Sequence, residues 1–249
     1  MKKVNHILFA VALLASATAA SAASAVSDLS IQGDVHAASA YNFRGMAMSA
    51  GEPSIGLKVA AIHASGLYGS YGVDTIKLGD PRSGDLGVDK DQLHNVFTVG
   101  YNRPLANGLV LGGGLTRHAF SGKAHVSDLS FSEMFVNASW NGLTGKLAAV
   151  VEGADARYPG FSRGDVYGEL GYTHKIGNYS LGGDVGYGWY DGKHAGAKDG
   201  LAMAQLRASY NFTPNLEVQL THQLSWGDDA WGQASTGNNK TFVKASYRF

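Results

Sequence analysis

Cysteine is absent from the 249 residues, so neither a disulfide nor a thiolate metal site can hold the fold or carry chemistry. Net charge is absent as well: 20 basic residues balance 20 acidic ones, which removes the electrostatic case for nucleic acid as a partner. Proline is scarce at 5 residues. Beyond the N-terminus the chain lacks any run near the roughly 18 consecutive apolar residues that a spanning helix requires. If the mature chain enters a membrane, it enters as strands.

What is present fits that route. Glycine is abundant at 34 residues without a collagen-like period, and tyrosine reaches 12. Such a chain suits many short strands in one β-domain. At the N-terminus, Lys2-Lys3, an apolar run from Ile7 to Leu14 and the small-residue stretch Ala20-Ser21-Ala22 read as a secretory signal peptide. The expected division is residues 1–22 as a cleaved leader and 23–249 as the mature domain.

Alternation then gives the architecture. Leu29, Ile31, Gly33, Val35, Ala37, Ser39, Tyr41 and Phe43 share one parity, while Ser30, Gln32, Asp34, His36, Asn42 and Arg44 hold the other. An apolar face against a charged one, with a period of two, matches lipid outside and water inside. The pattern recurs near 54–63, 67–76, 93–102, 109–120, 131–140, 143–152, 165–174, 179–190, 201–212, 216–226 and 240–249. Tight turns such as Ala64-Ser65-Gly66 and Asn141-Gly142 alternate with longer polar segments near 46–53, 77–92, 121–130, 153–164, 191–200 and 227–239. The expectation is an all-β transmembrane antiparallel β-barrel of about twelve strands, with short periplasmic turns and longer extracellular loops.

Aromatic residues on the outward parity form two sets, as interfacial girdles do. Tyr101, Trp140, Tyr172, Tyr179, Tyr210, Phe212, Tyr247 and Phe249 fall at the short-turn ends; Tyr41, Phe43, Tyr187, Trp189 and Trp226 fall at the long-loop ends. The chain ends on Val243, Ala245, Tyr247 and Phe249 facing one way. This terminal aromatic strand resembles the C-terminal signature of bacterial outer-membrane barrels, which makes Tyr247 and Phe249 the expected signal for the barrel-assembly machinery.

The inward parity is charged. Asp34, His36, Arg44, Asp74, His94, Glu133 and Arg248 share it with Lys58, Lys146, Glu152, Glu169, Asp184, Arg207, Glu217 and Lys244, the eight candidate pore-lining residues. A basic side chain facing lipid at the midplane costs about 2–4 kcal/mol, which fixes this register. Arg117 and His222 fall on the outward parity toward the loop side, where such groups are cheaper or a bulge re-aims them. Gly72, Gly100, Gly182, Gly186 and Gly188 on the inner face are expected to leave space. A narrow pore of weak ion preference follows, because its lining mixes both signs of charge.

Sites for chemistry are weaker. His63-Ala64-Ser65 pairs a histidine with a serine, but at a tight turn with no third group. His118, His194 and His222 lie toward the loop side without paired aspartates at a recognisable spacing. Asp80, Asp85, Asp89 and Asp91 miss the spacing of a dedicated Ca²⁺ loop and are interspersed with Lys77, Arg82 and Lys90. Gly112-Gly113-Gly114 has no following Lys-Ser/Thr pair, as a phosphate loop would. No catalytic, cofactor or metal residue is expected.

The segment Ser39-Ala40-Tyr41-Asn42-Phe43-Arg44-Gly45, then Ser49, then Gly66-Leu67-Tyr68-Gly69-Ser70-Tyr71, resembles the TorF-family porins, a proteobacterial family of outer-membrane proteins. Phe131 to Val136 and Tyr167-Gly168-Glu169-Leu170-Gly171-Tyr172 are similar to later parts of that pattern. Tyr71 stands where the pattern leads one to expect tryptophan. The resemblance implies a pore and brings no catalytic residues. The functional expectation is a porin of the bacterial outer membrane, reached by export through the periplasm and passing small hydrophilic solutes passively. The alternatives are a non-conducting structural or adhesive barrel, plugged by pairs such as Lys146 with Glu169, and a barrel lipase or protease.

Overall fold

The computed structural model describes residues 28–78, 92–123, 125–153, 160–191, 198–226 and 240–249. The leader, most of the 77–92 loop with its four aspartates, His194 and the 227–239 loop lie outside the described residues. The strands are β1 (Leu29–Ala38), β2 (Asn42–Phe43), β3 (Met46–Ala47), β4 (Ser54–His63), β5 (Leu67–Ile76), β6 (Gln92–Pro104) and β7 (Val110–Gly122). They continue with β8 (Phe131–Trp140), β9 (Leu143–Glu152), β10 (Val166–Ile176), β11 (Tyr179–Trp189), β12 (Gly200–Asn211), β13 (Leu216–Ser225) and β14 (Lys240–Arg248). A short 3₁₀ turn, Val126–Leu129, precedes β8.

Twelve of these strands close a barrel in which each pairs antiparallel with its barrel neighbour and β14 returns to β1. The remaining two, β2 and β3, pair only with each other. At the seam Asp34 stands opposite Arg248 and Val35 opposite Tyr247. Phe249 extends this pairing: its carbonyl accepts from the Gly33 amide at 2.8 Å and its amide donates to the Gly33 carbonyl at 3.0 Å. The Phe249 ring covers Gly33, where any β-carbon would overlap it. The terminal aromatic therefore helps close the wall.

The outer face is the expected apolar one. Phe97, Val99, Leu115, Met134, Val136, Leu170 and Leu206 are each about half exposed or more, as a lipid-facing belt requires. Below the belt Tyr179 packs tilted on Tyr210 at 4.7 Å and Tyr210 edge-on with Phe212 at 4.9 Å, and Tyr187 packs on Trp189 at 4.7 Å at the other rim.

Two departures from simple alternation matter for the interior. The first strand stops at Ala38 rather than running on through Arg44; Ser39 still bonds to Val243 of β14, and residues 40–49 then turn into the barrel. Tyr41 and Phe43 are thereby inside, not in the rim girdle, and pack against His94. The second is a bulge on β9: Ser132 opposes Glu152 while Glu133 opposes Val150, so Val151 is the extra residue. That residue turns Glu152 out of the lumen. Glu152 is not pore-lining, because it lies exposed on the outer face and pairs with Arg117 at 2.9 Å.

Candidate functional site

The site is a small hairpin held inside the barrel. β2 and β3 are joined by Arg44 and Gly45, whose φ angles are 51° and 91°. Positive φ at both central residues is the mirror-image turn that suits a two-residue hairpin. Glycine is required at the second of them twice over, since a β-carbon on Gly45 would meet the Ala202 carbonyl oxygen of β12. Arginine at the first is less comfortable in that region, at a cost of order 1–3 kcal/mol. Its side chain supplies the compensation.

Arg44 points at the opposite wall. Its Nη2 donates to Glu133 Oε2 on β8 at 2.5 Å, and its guanidinium lies 4.5 Å from the Tyr167 ring of β10 and 4.9 Å from Phe43. Glu133 is fully buried and also accepts from Lys146 Nζ at 3.0 Å. One carboxylate thus holds a cation from the hairpin and a cation from the wall. Removing a single partner from a buried pair of this kind costs about 3–5 kcal/mol, because it strands a charge.

Behind Arg44 runs a hydrogen-bonded row: Tyr41 hydroxyl to His94 Nδ1 at 2.9 Å, then His94 Nε2 to His118 Nδ1 at 3.0 Å. Burial pushes the Tyr41 hydroxyl up, so it stays protonated in this row. His118 Nε2 is 3.5 Å from Glu133, at the limit of a useful bond. The rings are sandwiched, His94 on Phe120 at 4.5 Å and His118 on Phe131 at 4.4 Å.

The foot of the hairpin is equally tied. Tyr41 N–H donates to Ser49 Oγ at 2.9 Å, Met48 N–H to the Tyr41 carbonyl at 2.9 Å, and Lys77 N–H to the Met48 carbonyl at 2.8 Å. Met46 and Met48 bury against Ile76, Phe120, Phe131, Val150 and Phe161, together with Val126 and Leu129 of the 3₁₀ turn. The long-connection end of the lumen is therefore filled with apolar side chains.

The remaining pore-lining candidates keep the inner face. Glu169 stands opposite Lys146 across β9 and β10. Arg207 donates to Asp184 at 3.0 Å, and Arg248 pairs with Glu217 at 2.9 Å. Lys58 stands opposite Asp34, and Lys244 opposite Gln219. His36 bridges Asp34 and Asp74, each at 2.8 Å. The inner glycines leave less room than expected: Gly100 seats the Tyr68 ring, Gly186 the Tyr167 hydroxyl and Gly188 the Tyr190 hydroxyl.

Between the hairpin and the β9–β13 wall lies a cavity of about 280 Å³. Asn42 lines it with both amide atoms buried and without a hydrogen-bond partner. Each such orphan costs about 1–3 kcal/mol, so the arrangement is unusual for a folded interior.

Other candidates resolve into local structure. His63 Nδ1 is 2.8 Å from Ser65 Oγ and accepts from the Ser65 amide at 3.1 Å, within an exposed turn. His222 lies on the outer face beside Thr241 at 2.9 Å. Gly112, Gly113 and Gly114 are mid-strand residues of β7. Among the described residues no group of three or more histidine, aspartate or glutamate side chains is arranged to hold a metal ion.

No family model and no curated relative matches the chain. Solved structures do. The NanC porin is similar with a TM-score of 0.54 at 13% identity, covering 87% of this chain and 98% of its own. The KdgM porin scores 0.50 at 10% identity, covering 88% and 98%. Outer membrane phospholipase A from Escherichia coli scores 0.50 at 13% identity, covering 88% and 92%. At such identities the likeness is one of fold: this chain is a closed twelve-stranded antiparallel barrel, similar in fold to those proteins. That fold hosts both pores and an enzyme, so function must be argued from the lumen.

Proposed function

We propose that the protein is a porin of the bacterial outer membrane, a narrow passive channel for small hydrophilic solutes, and that it groups with the TorF-family porins. One observation carries this reading. A hairpin of the connecting chain, with only two residue pairs of its own, narrows the lumen, while the wall around it is complete. A barrel meant only as a scaffold has no need of an obstruction separable from its wall. Short turns face the periplasm, long connections face outward, and Tyr247 with Phe249 engages the assembly machinery.

Proteoliposome swelling tests it. Wild-type barrels should admit small hydrophilic solutes at rates that fall with solute size. Absence of any flux, with the barrel folded, would favour the structural or adhesive alternative.

A further inference from the structure

We propose that the paired imidazoles of His94 and His118 are a proton-operated latch for the β2–β3 hairpin: acid withdraws the hairpin and widens the lumen. The inference rests on the reading that this hairpin narrows a channel.

The latch lies where hairpin and wall meet. His94 of β6 and His118 of β7 are both buried, with ring centroids 5.2 Å apart and planes 22° from parallel. His94 Nε2 faces His118 Nδ1 at 3.0 Å, and His94 Nδ1 faces the Tyr41 hydroxyl at 2.9 Å. A hydrogen bond between two ring nitrogens uses one proton, because the second nitrogen must offer its lone pair. Protonating both rings would set two N–H groups head to head. The contact therefore holds only while at least one ring is neutral.

The surrounding charges oppose even the first extra proton. The hairpin brings the Arg44 guanidinium and the Tyr41 hydroxyl, β8 brings Glu133, β9 brings Lys146, and β5 brings Asp74, which stands opposite His94. Glu133 already accepts from Arg44 at one oxygen and from Lys146 at the other, and it is the second of these that lies 3.5 Å from His118 Nε2. Asp74 is bonded to His36. A new cation on either ring thus meets two resident cations and one shared carboxylate. Phe43, Phe120 and Phe131 pack on the two rings and screen them from water.

Withdrawal reverses each of these conditions. The hairpin takes Tyr41, Phe43 and the Arg44 charge with it, and both imidazoles then face lumen water, where a histidine titrates near its ordinary value of about 6.5. Protons bind the withdrawn state better than the inserted one, so the inserted state is fully held above about pH 6.5 and loses ground as pH falls below it. At about pH 5 a single histidine that titrates only in the withdrawn state shifts the balance about thirtyfold.

The chain has no cysteine, so Ala47→Cys places a single thiol on β3, buried while the hairpin is inserted. Its labelling rate with dithiodipyridine, a disulfide reagent that works in acid, reads the withdrawn fraction without requiring conduction. The folded barrel in detergent is labelled across a pH series, each rate normalised to the SDS-denatured chain, with heat-modifiable gel mobility reporting an intact wall. The rate should begin to rise as pH falls through about 6.5 and gain about tenfold or more by about pH 5. His118→Phe, which keeps a ring stacked on Phe131, should cut the response to at most that of one histidine. No rise, a rise that sets in only near about pH 4 where carboxylates titrate, or the full response in His118→Phe would overturn the latch. Acid-dependent labelling in a barrel that conducts at no pH keeps the latch and sinks the channel reading. A conducting barrel whose labelling ignores pH does the reverse.

Discussion

The wall of the barrel and the hairpin inside it are held by different forces. Wall strands are joined by ladders such as the thirteen paired residues between β6 and β7, and they close on themselves through β14 and β1. The hairpin has a two-pair ladder and depends on side chains: the Arg44–Glu133 pair, the Tyr41–His94–His118 row and the two methionines. A closed ladder cannot open locally without exposing backbone groups to lipid. A segment pinned by a few side chains can leave as a unit, and each pin can be removed separately.

The most severe test of the wall is deletion of Phe249. Burial of a phenylalanine contributes about 1.5–3 kcal/mol, too little to unfold a closed barrel. The yield of heat-modifiable folded protein in membranes should nevertheless fall by most of its value, because closure at Gly33 and assembly recognition fail together. An unchanged yield would separate Phe249 from both. Next comes the lumen lining. Replacing Lys58, Lys146 and Arg207 by glutamate changes its charge by about six units and should move the reversal potential under a salt gradient toward cation preference, most clearly at low salt. An identical potential would mean that these side chains do not line the path.

A milder change strikes the hairpin alone. Gly45→Ala puts a β-carbon against the Ala202 carbonyl at positive φ and should weaken the inserted state by about 1–3 kcal/mol, read as more frequent openings in bilayer recordings with the wall unaffected. The smallest effect belongs to the outer face. Arg117→Ala removes an exposed pair with Glu152 and should cost under about 1 kcal/mol of stability, with no change in conductance.

Most of the wall was legible in the residues. The strands 54–63, 67–76, 131–140 and 143–152 form over those ranges, because two-residue alternation is what a barrel wall demands. The hairpin was not legible, since Ser39, Tyr41 and Phe43 continue the parity of β1 and a strand inside a lumen alternates like one in its wall. The local hint was Arg44-Gly45, a pair fit for a positive-φ turn. The segment Tyr41 to Gly45 is the chain that enters the lumen. Glu152 was misplaced because a bulge leaves no mark on alternation until the partner register is known. The glycines misled for a related reason. Gly186 reads as empty space until Tyr167, two strand positions from the facing Glu169, is seen to fill it.

Single-channel recording of wild type beside Glu133→Ala tests the central claim most directly. Alanine there strands Arg44 and Lys146 without their carboxylate, against the inserted hairpin by about 3–5 kcal/mol. Small or infrequent openings in wild type, and larger or longer-lived ones in a variant with the same folded yield, are the predicted result. Equal conductance in the two proteins, both correctly folded, would contradict the claim that this hairpin controls the lumen.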